Sequence, residues 1–115
     1  METLVHVRSE EGAVTVTPHG ELDQTTSSVL RGALDRALER AFVCGQPVVV
    51  NLAAVTFLNA WAIGALVTAH RQLHLGGQRL VVTNASPRFA RALRATGTSR
   101  ALEVRVVAWG SCSQN

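Results

Sequence analysis

Residues 48–75 read VVVNLAAVTFLNAWAIGALVTAHRQLHL, and they carry most of the information about the fold. Val48–Leu52 is an apolar run interrupted by Asn51, which predicts a central strand of a sheet. Ala53–Phe57 is expected to be a short connection, and a long apolar helical pattern then predicts a helix over about Ala60–Leu75. Because sites collect where the buried strands of α/β folds lead into helices, this junction is the first candidate for a functional site.

The start of this predicted helix has an unusual composition. Asn59 can cap the helix, since its side-chain oxygen can accept a hydrogen bond from an N–H group of the first turn. The free N–H groups and the dipole of such a helix start favour a negative charge. The residue found there is Trp61, whose side chain is a neutral, bulky indole. This mismatch is the main functional indication in the sequence.

The chain before residue 48 predicts a hairpin followed by a helix. Thr3–Arg8 and Ala13–Pro18 alternate apolar and polar residues around a turn that contains glycine, which is typical of a β-hairpin. Asp23 is a candidate N-cap for an amphipathic helix that continues to about Val43. Gly45 and the proline that follows two residues later predict its end.

The chain after residue 75 continues the alternation of strands and helices. Gln78–Thr83 is predicted to be a strand, Pro87 opens a helix that extends to about Ala95, and Leu102–Ala108 is predicted to be the last strand. The order is therefore β-β-α-β-α-β-α-β. We expect an α/β fold with a single mixed, mostly parallel sheet of about five strands and helices packed on it.

Length and composition favour one cytoplasmic domain. The 115 residues, of which 47% are hydrophobic, predict a single domain over 1–115 with an ordered core at about 3–108 and a loose tail at 110–115. No apolar run reaches the roughly 20 residues of a membrane span, and no signal-peptide pattern is present. The net charge of +3 is small and scattered, so neither nucleic acid nor a membrane is an expected partner.

Side chains capable of catalysis or metal binding form no convincing group. The sequence has no GxSxG, GxxxxGK[ST] or GxGxxG motif, so we expect neither an enzyme nor a cofactor. His70 and His74 could supply two metal ligands, but no third lies nearby in sequence, and they are expected to be exposed or half-buried. Cys44 and Cys112 are expected to be reduced thiols, with redox control left open, and Trp109 is expected to be a packing residue.

Short sequence pieces in a fixed order carry a resemblance to a known family. They are Gly20-Glu21-Leu22-Asp23, Val49-Val50-Asn51-Leu52, Val55-Thr56-Phe57-Leu58-Asn59, Gly64, Gly76-Gly77, Leu80-Val81-Val82, Pro87 and Gly97. Together they resemble the STAS domain, the fold of bacterial anti-sigma factor antagonists, over about Leu4–Val107. The resemblance implies the STAS fold and a regulatory role in transcription, exerted by binding a kinase-type anti-sigma factor.

The same resemblance implies that a phosphorylation switch is missing. In that family the loop before the second helix usually reads Asp-Ser-Ser-Gly or Asp-Ser-Thr-Gly, and a histidine-kinase-like serine kinase, which is also the anti-sigma factor, phosphorylates the second hydroxyl. Alignment places Asn59 at the Asp, Ala60 at the first Ser, Trp61 at the phosphoacceptor and Ala62 at the Gly. Neither Ala60 nor Trp61 has a hydroxyl, so no phosphate can be added there.

What remains at this place is a surface for a partner. The expected partner-binding residues are Asp23, Gln24, Thr25, Thr26, Asn59, Ala60, Trp61 and Ala62. Trp61 is either an exposed anchor, as indoles often are in interfaces, or a core residue folded between the sheet and the first helix. The alternative function is a ligand-sensing or scaffold subunit of a transporter or signalling complex, with Trp61 lining an apolar pocket. The sequence leaves the oligomeric state open, a homodimer included.

Overall fold

The alternating segments at the start of the chain form an antiparallel hairpin. In the computed structural model, which describes residues 4–23, 25–95 and 103–106, β1 (Leu4–Glu10) pairs with β2 (Ala13–Leu22). The turn between them needs left-handed backbone at Glu11 (φ 49°) and Gly12 (φ 79°), and glycine adopts that conformation without strain. Val14 and Val16 are fully buried, so alternate side chains of β2 enter the core.

The other elements follow as strands and helices in alternation. Their bounds are α1 (Ser27–Cys44), β3 (Val48–Asn51), β4 (Val55–Leu58), α2 (Ala60–Leu75), β5 (Leu80–Ala85), α3 (Pro87–Ala95) and β6 (Glu103–Val106). The main path of the sheet is β1-β2-β3-β5-β6, and every pair on it except β1–β2 is parallel. This confirms the predicted mixed, mostly parallel α/β sheet.

One strand lies where a connection was expected. β4 pairs in parallel with the last three residues of β2, with a register shift between Gly20 and Glu21. Val55 and Leu58 are buried whereas Thr56 and Phe57 are exposed. The prediction of a simple connection over Ala53–Phe57 was wrong, because a strand that buries only its two ends shows neither alternation nor a continuous apolar run.

The core lies between the helices and the central strands. α1 and α2 contact each other, and α1 also contacts β2. The buried apolar residues of α1 recur every three or four positions: Leu30, Ala33, Leu34, Ala37, Leu38 and Ala41. They join side chains from β2, β3, β5 and α2 in one cluster. Burial of this stripe explains why the amphipathic sequence forms α1.

The local sequence predicted the start of α2 correctly and the start of α1 incorrectly. α2 covers the predicted residues Ala60–Leu75, and Asn59 is its N-cap, as expected. α1 begins at Ser27 with Thr26 as the N-cap residue, so the prediction that Asp23 caps this helix was wrong. The reason is that Asp23 forms its hydrogen bonds inside the turn that precedes the helix.

Some predictions concern residues outside the described part of the chain. These are Gln24 as a binding residue, the packing role of Trp109, the thiol of Cys112 and the tail at 110–115. None of the helices in the described part is long and apolar enough to cross a membrane.

Candidate functional site

The start of α2 is held by bonds to its own first turn and to β2. The Oδ1 of Asn59 accepts a hydrogen bond from the N–H of Ala62 at 3.0 Å. The N–H of Asn59 donates to the carbonyl oxygen of Leu22 at 3.0 Å, and the N–H of Ile63 donates to the carbonyl oxygen of Asn59 at 3.1 Å. These three bonds fix the position of Asn59, which immediately precedes Ala60 and Trp61.

The turn between β2 and α1 is built around one carboxylate. The Oδ1 of Asp23 accepts hydrogen bonds from the hydroxyl of Thr25 at 2.7 Å and from the N–H groups of Thr25 and Thr26 at 3.0 and 3.1 Å. The hydroxyl of Thr26 donates to the carbonyl oxygen of Glu21 at 2.9 Å. The side-chain bond from Thr25, followed by the backbone bond from Thr26, holds the pKa of Asp23 below its usual value of 3.8. Asp23 is therefore ionised at neutral pH.

These two segments lie side by side. Leu22, which immediately precedes the turn, pairs with Leu58 in the sheet and accepts the backbone bond from Asn59. The structure thus brings Thr25 and Thr26 to the same end of the molecule as the start of α2. Of the expected binding residues on α2, Ala60 and Trp61 are exposed.

Ala62 is the exception among these residues. It has no exposed surface, so its side chain packs in the core and cannot touch a partner. Its N–H is already bonded to Asn59. Ala62 thus presents no side-chain surface in this structure, and its role as a partner-binding residue stays a prediction.

Trp61 lies at the surface. It is 58% exposed, which excludes the alternative in which it folds into the core. Phe57 at the end of β4 and Val29 in the first turn of α1 are 47% and 45% exposed. We refer to the end of the α1–α2 pair that carries Val29, Phe57, Trp61 and the turn of Asp23–Thr26 as the Trp61 end. Sequence reasoning did not identify Val29 or Phe57 as part of it.

A groove runs from Trp61 between the two helices. Its volume is about 400 Å³, within the range of small-molecule sites. It is lined by Arg31, Leu34, Asp35 and Leu38 of α1 and by Ala60, Trp61, Gly64, Ala65, Thr68, Ala69 and Gln72 of α2. Trp61 therefore belongs both to the exposed end of the helix pair and to the wall of a groove.

A hydrogen bond between two asparagine side chains joins β3 and β5. The Oδ1 of Asn51 accepts hydrogen bonds from the N–H of Ala53 at 2.9 Å and from Nδ2 of Asn84 at 3.0 Å. Asn84 has left-handed backbone with φ of 56°. This bond links the carboxyl ends of β3 and β5, which lie at the same edge of the sheet as the helix starts.

The sequence as a whole matches one family of domains. The model of the STAS domain family aligns with residues 5–107. The chain belongs to the STAS domain family. An anti-sigma F factor antagonist of Paenibacillus polymyxa is similar to this STAS domain, with 23% identity over 104 residues that cover 90% of this chain and 87% of that protein.

Solved structures show the same fold. An anti-sigma factor antagonist from Mycobacterium paratuberculosis is 20% identical to this STAS domain, with a TM-score of 0.78 over 98% of this chain and 93% of that chain. The phosphorylated form of the Bacillus cell fate determinant SpoIIAA is 16% identical, with a TM-score of 0.66 over 96% of this chain and 97% of that chain.

The opposite end of the helix pair of this STAS domain is also apolar. Phe42, Val43 and Leu75 are 46%, 85% and 87% exposed, and Cys44 beside them is an exposed free thiol. We call this group the Leu75 end. The sequence signal for it was the presence of apolar residues in the last turn of each helix, outside the buried stripe.

His70 departs from the expectation for the two α2 histidines. It is buried, with 4% exposure, whereas His74 is exposed. The two rings stack with centroids 6.0 Å apart, and Nδ1 of His70 has no hydrogen-bond partner within the described residues. Burial, and secondarily the charge of His74, lower the pKa of His70 below 6.5.

Metal ligands beside these histidines were looked for in the described part of the chain. No group of three or more His, Cys, Asp or Glu side chains there is arranged to hold a metal ion. Within the described residues, His70 and His74 are a stacked pair on one side of α2.

Proposed function

We propose that this STAS domain is an anti-sigma factor antagonist-like regulator that binds a kinase-type anti-sigma factor through its Trp61 end, without a phosphorylation switch. The observation that carries the proposal is the exposure of Trp61, 58%, at a helix start that is fixed by hydrogen bonds. The resemblance described above implies that this residue stands at the family's phosphoacceptor position. The proposed role is binding in the cytoplasm, with no catalytic step and no cofactor.

The surroundings of Trp61 support a role as an anchor. An indole buried on binding is a frequent source of interface affinity, and a polar rim around it is typical of interfaces. Thr25, Thr26 and Asn59 provide such a rim in positions fixed by their own hydrogen bonds. A partner would lose little conformational entropy in meeting side chains that are already ordered.

The absence of a hydroxyl at residues 59–62 supports the loss of the switch. Asn59, Ala60, Trp61 and Ala62 have no side-chain hydroxyl to which a kinase could transfer a phosphoryl group. The hydroxyl of Thr25 in the neighbouring turn donates to Asp23, whose negative charge disfavours a phosphate next to it. Partner binding would then be controlled by abundance, by a ligand or by redox chemistry.

The test is a binding and phosphorylation assay with purified proteins. The kinase-type anti-sigma factors encoded in the same genome are titrated against this protein, and each mixture is then incubated with Mg·ATP and analysed by mass spectrometry. We expect one of them to bind the wild type and to leave residues 59–62 unmodified. Failure of all of them to bind, or phosphate within residues 59–62, would contradict the proposal.

A pair of variants sharpens this test. Trp61→Ser places a hydroxyl at the aligned acceptor position, so the kinase that binds should now modify residue 61. Phe42→Ser is the matched control, because it also replaces an exposed aromatic residue by serine but lies on α1 at the Leu75 end, away from the proposed binding surface. Phosphate in the control variant and not in Trp61→Ser would show that the aligned acceptor position is wrong.

A ligand-sensing STAS subunit of a transporter or signalling complex is the second candidate function. The observation in its favour is the groove of about 400 Å³, of which Trp61 forms part of the wall. Under this alternative, the fluorescence of Trp61 would change on addition of a small apolar ligand, whereas anti-sigma factors would not bind. The titration above therefore distinguishes the two functions.

A further inference from the structure

The charges of this chain are distributed unequally along the sequence. The arginines are scattered, but the carboxylates are not, because no Asp or Glu occurs between Glu39 and Glu103. Residues 40–102 contain seven arginines, whereas residues 1–39 contain seven acidic residues and three arginines. The small net charge of +3 is therefore the balance between an acidic N-terminal part and a basic remainder.

The fold converts this asymmetry of the sequence into a separation in space. β1 and β2, which carry Glu10 and Glu21, form one edge of the sheet, and β5 and β6 form the other. α1 packs on β1, β2 and β3, whereas α3 packs on β5 and β6. At the usual strand spacing the two strand pairs are centred about 14 Å apart. This distance exceeds the Debye length of about 8 Å at physiological salt, so the acidic edge cancels little of the field at α3.

α3 carries two arginines that are free to meet another molecule. Arg88 and Arg91 are exposed, and neither makes an ion pair or a hydrogen bond within the described residues. They are three residues apart, so they lie on the same side of the helix. Arg94 follows at the same spacing in the sequence. We refer to Arg88 and Arg91 as the α3 arginine pair.

The position of Arg88 is unfavourable for the helix itself. Arg88 lies in the first turn of α3, and this turn contains no acidic residue. The N-terminus is the positive end of the helix dipole, where a carboxylate is favoured and an arginine is disfavoured. The stability of α3 therefore does not explain Arg88. The dipole does, however, add to the attraction of Arg88 for a negative group.

One acidic residue, Glu103, belongs to the same edge of the sheet but lies at its other end. Glu103 pairs with Val81 near the start of β5, whereas α3 begins after the end of β5 at Ala85. The four residues between these two points span about 13 Å of strand. Glu103 is thus separated along the strand from the start of α3, where Arg88 lies.

We propose that the α3 arginine pair binds an acidic segment of a protein partner. A guanidinium group binds a carboxylate through two parallel hydrogen bonds, which makes arginine well suited to recognise Asp and Glu side chains. Two arginines one helical turn apart match a segment that carries several carboxylates close together. The occupant is therefore a peptide or loop with several neighbouring Asp or Glu residues.

A membrane and a nucleic acid fit this surface less well. The apolar residues Ala90 and Leu93 are buried in the domain, so α3 has no apolar face left for a bilayer. Phe89 is half-buried, and it is the one aromatic residue of α3, so the helix offers no exposed ring for base stacking. A short acidic segment can also contact α3 without reaching the acidic edge of the sheet.

A titration with a synthetic acidic polypeptide tests the proposal. The probe is fluorescein-labelled poly-L-glutamate of about 20 residues, and its anisotropy is followed at about 20 mM salt, where screening is weak. Reversal of the pair in Arg88→Glu/Arg91→Glu should weaken binding about tenfold or more, because two attractive contacts become repulsive.

A second pair of arginines supplies the matched control. Arg36 and Arg40 are also exposed and one turn apart, but they lie on α1 beside Asp35 and Glu39. Arg36→Glu/Arg40→Glu changes the net charge by the same amount and should weaken binding less than about twofold. Equal weakening in the two double variants would contradict the proposal, because binding would then depend on net charge alone.

Loss of folding does not account for the expected result. Arg88→Glu places a carboxylate at the positive end of the dipole of α3, which favours the helix. Circular dichroism checks that both double variants are folded. Binding by the wild type should also weaken when the salt is raised from about 20 to about 150 mM, and binding that is insensitive to salt would contradict the proposal.

Other anions are measured in the same way. The probes are labelled oligothymidylate of about 20 nucleotides and phosphatidylcholine vesicles that contain phosphatidylglycerol. We expect both to bind more weakly than poly-L-glutamate. Tighter binding of either one that is lost in Arg88→Glu/Arg91→Glu would overturn the assignment to a protein partner, and a wild type that binds none of the probes would overturn the surface altogether. No anti-sigma factor is present in these assays, so their outcome is independent of the proposed function.

Discussion

Both ends of the α1–α2 pair expose apolar side chains, the Leu75 end to a greater degree, but the backbone at the two ends is held differently. At the Trp61 end, polar side chains bond to the backbone: Asp23 to the N–H groups of Thr25 and Thr26, and Asn59 to the N–H of Ala62. At the Leu75 end, the helices are closed by glycines and backbone bonds, such as that from the N–H of Gln78 to the carbonyl oxygen of Leu73 at 2.8 Å.

The difference shows that exposure alone does not identify a binding site. Leu75 is 87% exposed and Trp61 is 58% exposed, so a ranking by exposed apolar surface would select the Leu75 end. The Trp61 end has an exposed aromatic residue, polar neighbours and a backbone fixed by side chains, features that would lower the entropy lost on binding. We therefore place the partner at the Trp61 end, and the following predictions test that choice.

The largest expected effect is on partner affinity. Trp61→Ala should weaken binding of the anti-sigma factor about 30-fold or more, as expected for an anchor worth at least about 2 kcal/mol. Leu75→Ala removes a more exposed side chain at the other end and should change the affinity less than about twofold. Isothermal titration calorimetry measures both, and a larger loss in Leu75→Ala would reverse the assignment of the two ends.

A smaller effect compares one cap at each end. Asn59→Ala removes the side-chain bond to the N–H of Ala62 and should cost about 1 kcal/mol of unfolding free energy. Gly45→Ala puts a Cβ on backbone with φ of 66° and should cost a similar amount, about 1 kcal/mol. Urea unfolding measures both costs.

Partner binding should separate these two variants. Asn59→Ala should also weaken binding, because it loosens the residue before Ala60 and Trp61. Gly45→Ala, at the other end, should bind like the wild type below its unfolding transition. Equal losses of affinity in the two variants would mean that binding depends on the global stability of the protein and not on the fixed backbone of the Trp61 end.

The smallest effect is a difference in acid sensitivity. Burial lowers the pKa of His70 below the 6.5 of an unfolded chain, so the unfolded state takes up a proton more readily. The stability that this group contributes is full above pH 6.5 and is lost as the pH falls through the lowered pKa. We expect the unfolding free energy to fall as the pH drops below 6.5, and less so in His70→Leu.

The two ends should respond to acid in different ranges. Asp23 keeps its charge until the pH falls below 3.8, so the turn at the Trp61 end should persist where His70 begins to destabilise α2. His19→Gln is the control, because His19 lies on β2 away from α2. A pH dependence that disappears in His19→Gln and persists in His70→Leu would contradict the assignment to His70.

Local sequence signals predicted the parts of the fold that depend on a few neighbouring residues. The bounds of α2 were correct because Asn59 is a strong cap and Gly76 a strong stop. The start of α1 was misplaced because an aspartate can bond either to a helix N–H or within a turn, and Asp23 does the latter. β4 was missed because two buried residues with two exposed ones between them show no period.

The exposure of the side chains at the candidate site depends more on tertiary structure than the bounds of the helices do. Nothing in the sequence distinguishes a core indole from a surface one, so the exposure of Trp61 became known only with the fold. The burial of His70 could have been predicted, because it lies four residues after Leu66 and three before Leu73 on the buried stripe. The expectation that His70 is exposed or half-buried followed from its polar side chain. It was wrong, because the position of His70 on the helix decides its burial.

The most direct test of the proposed docking surface is amide hydrogen exchange of this STAS domain with and without its anti-sigma factor. We predict that the partner slows exchange at residues 25–26 and 59–64 and leaves residues 42–45 and 74–77 unchanged. Protection at 42–45 and 74–77, with none at 59–64, would contradict the account.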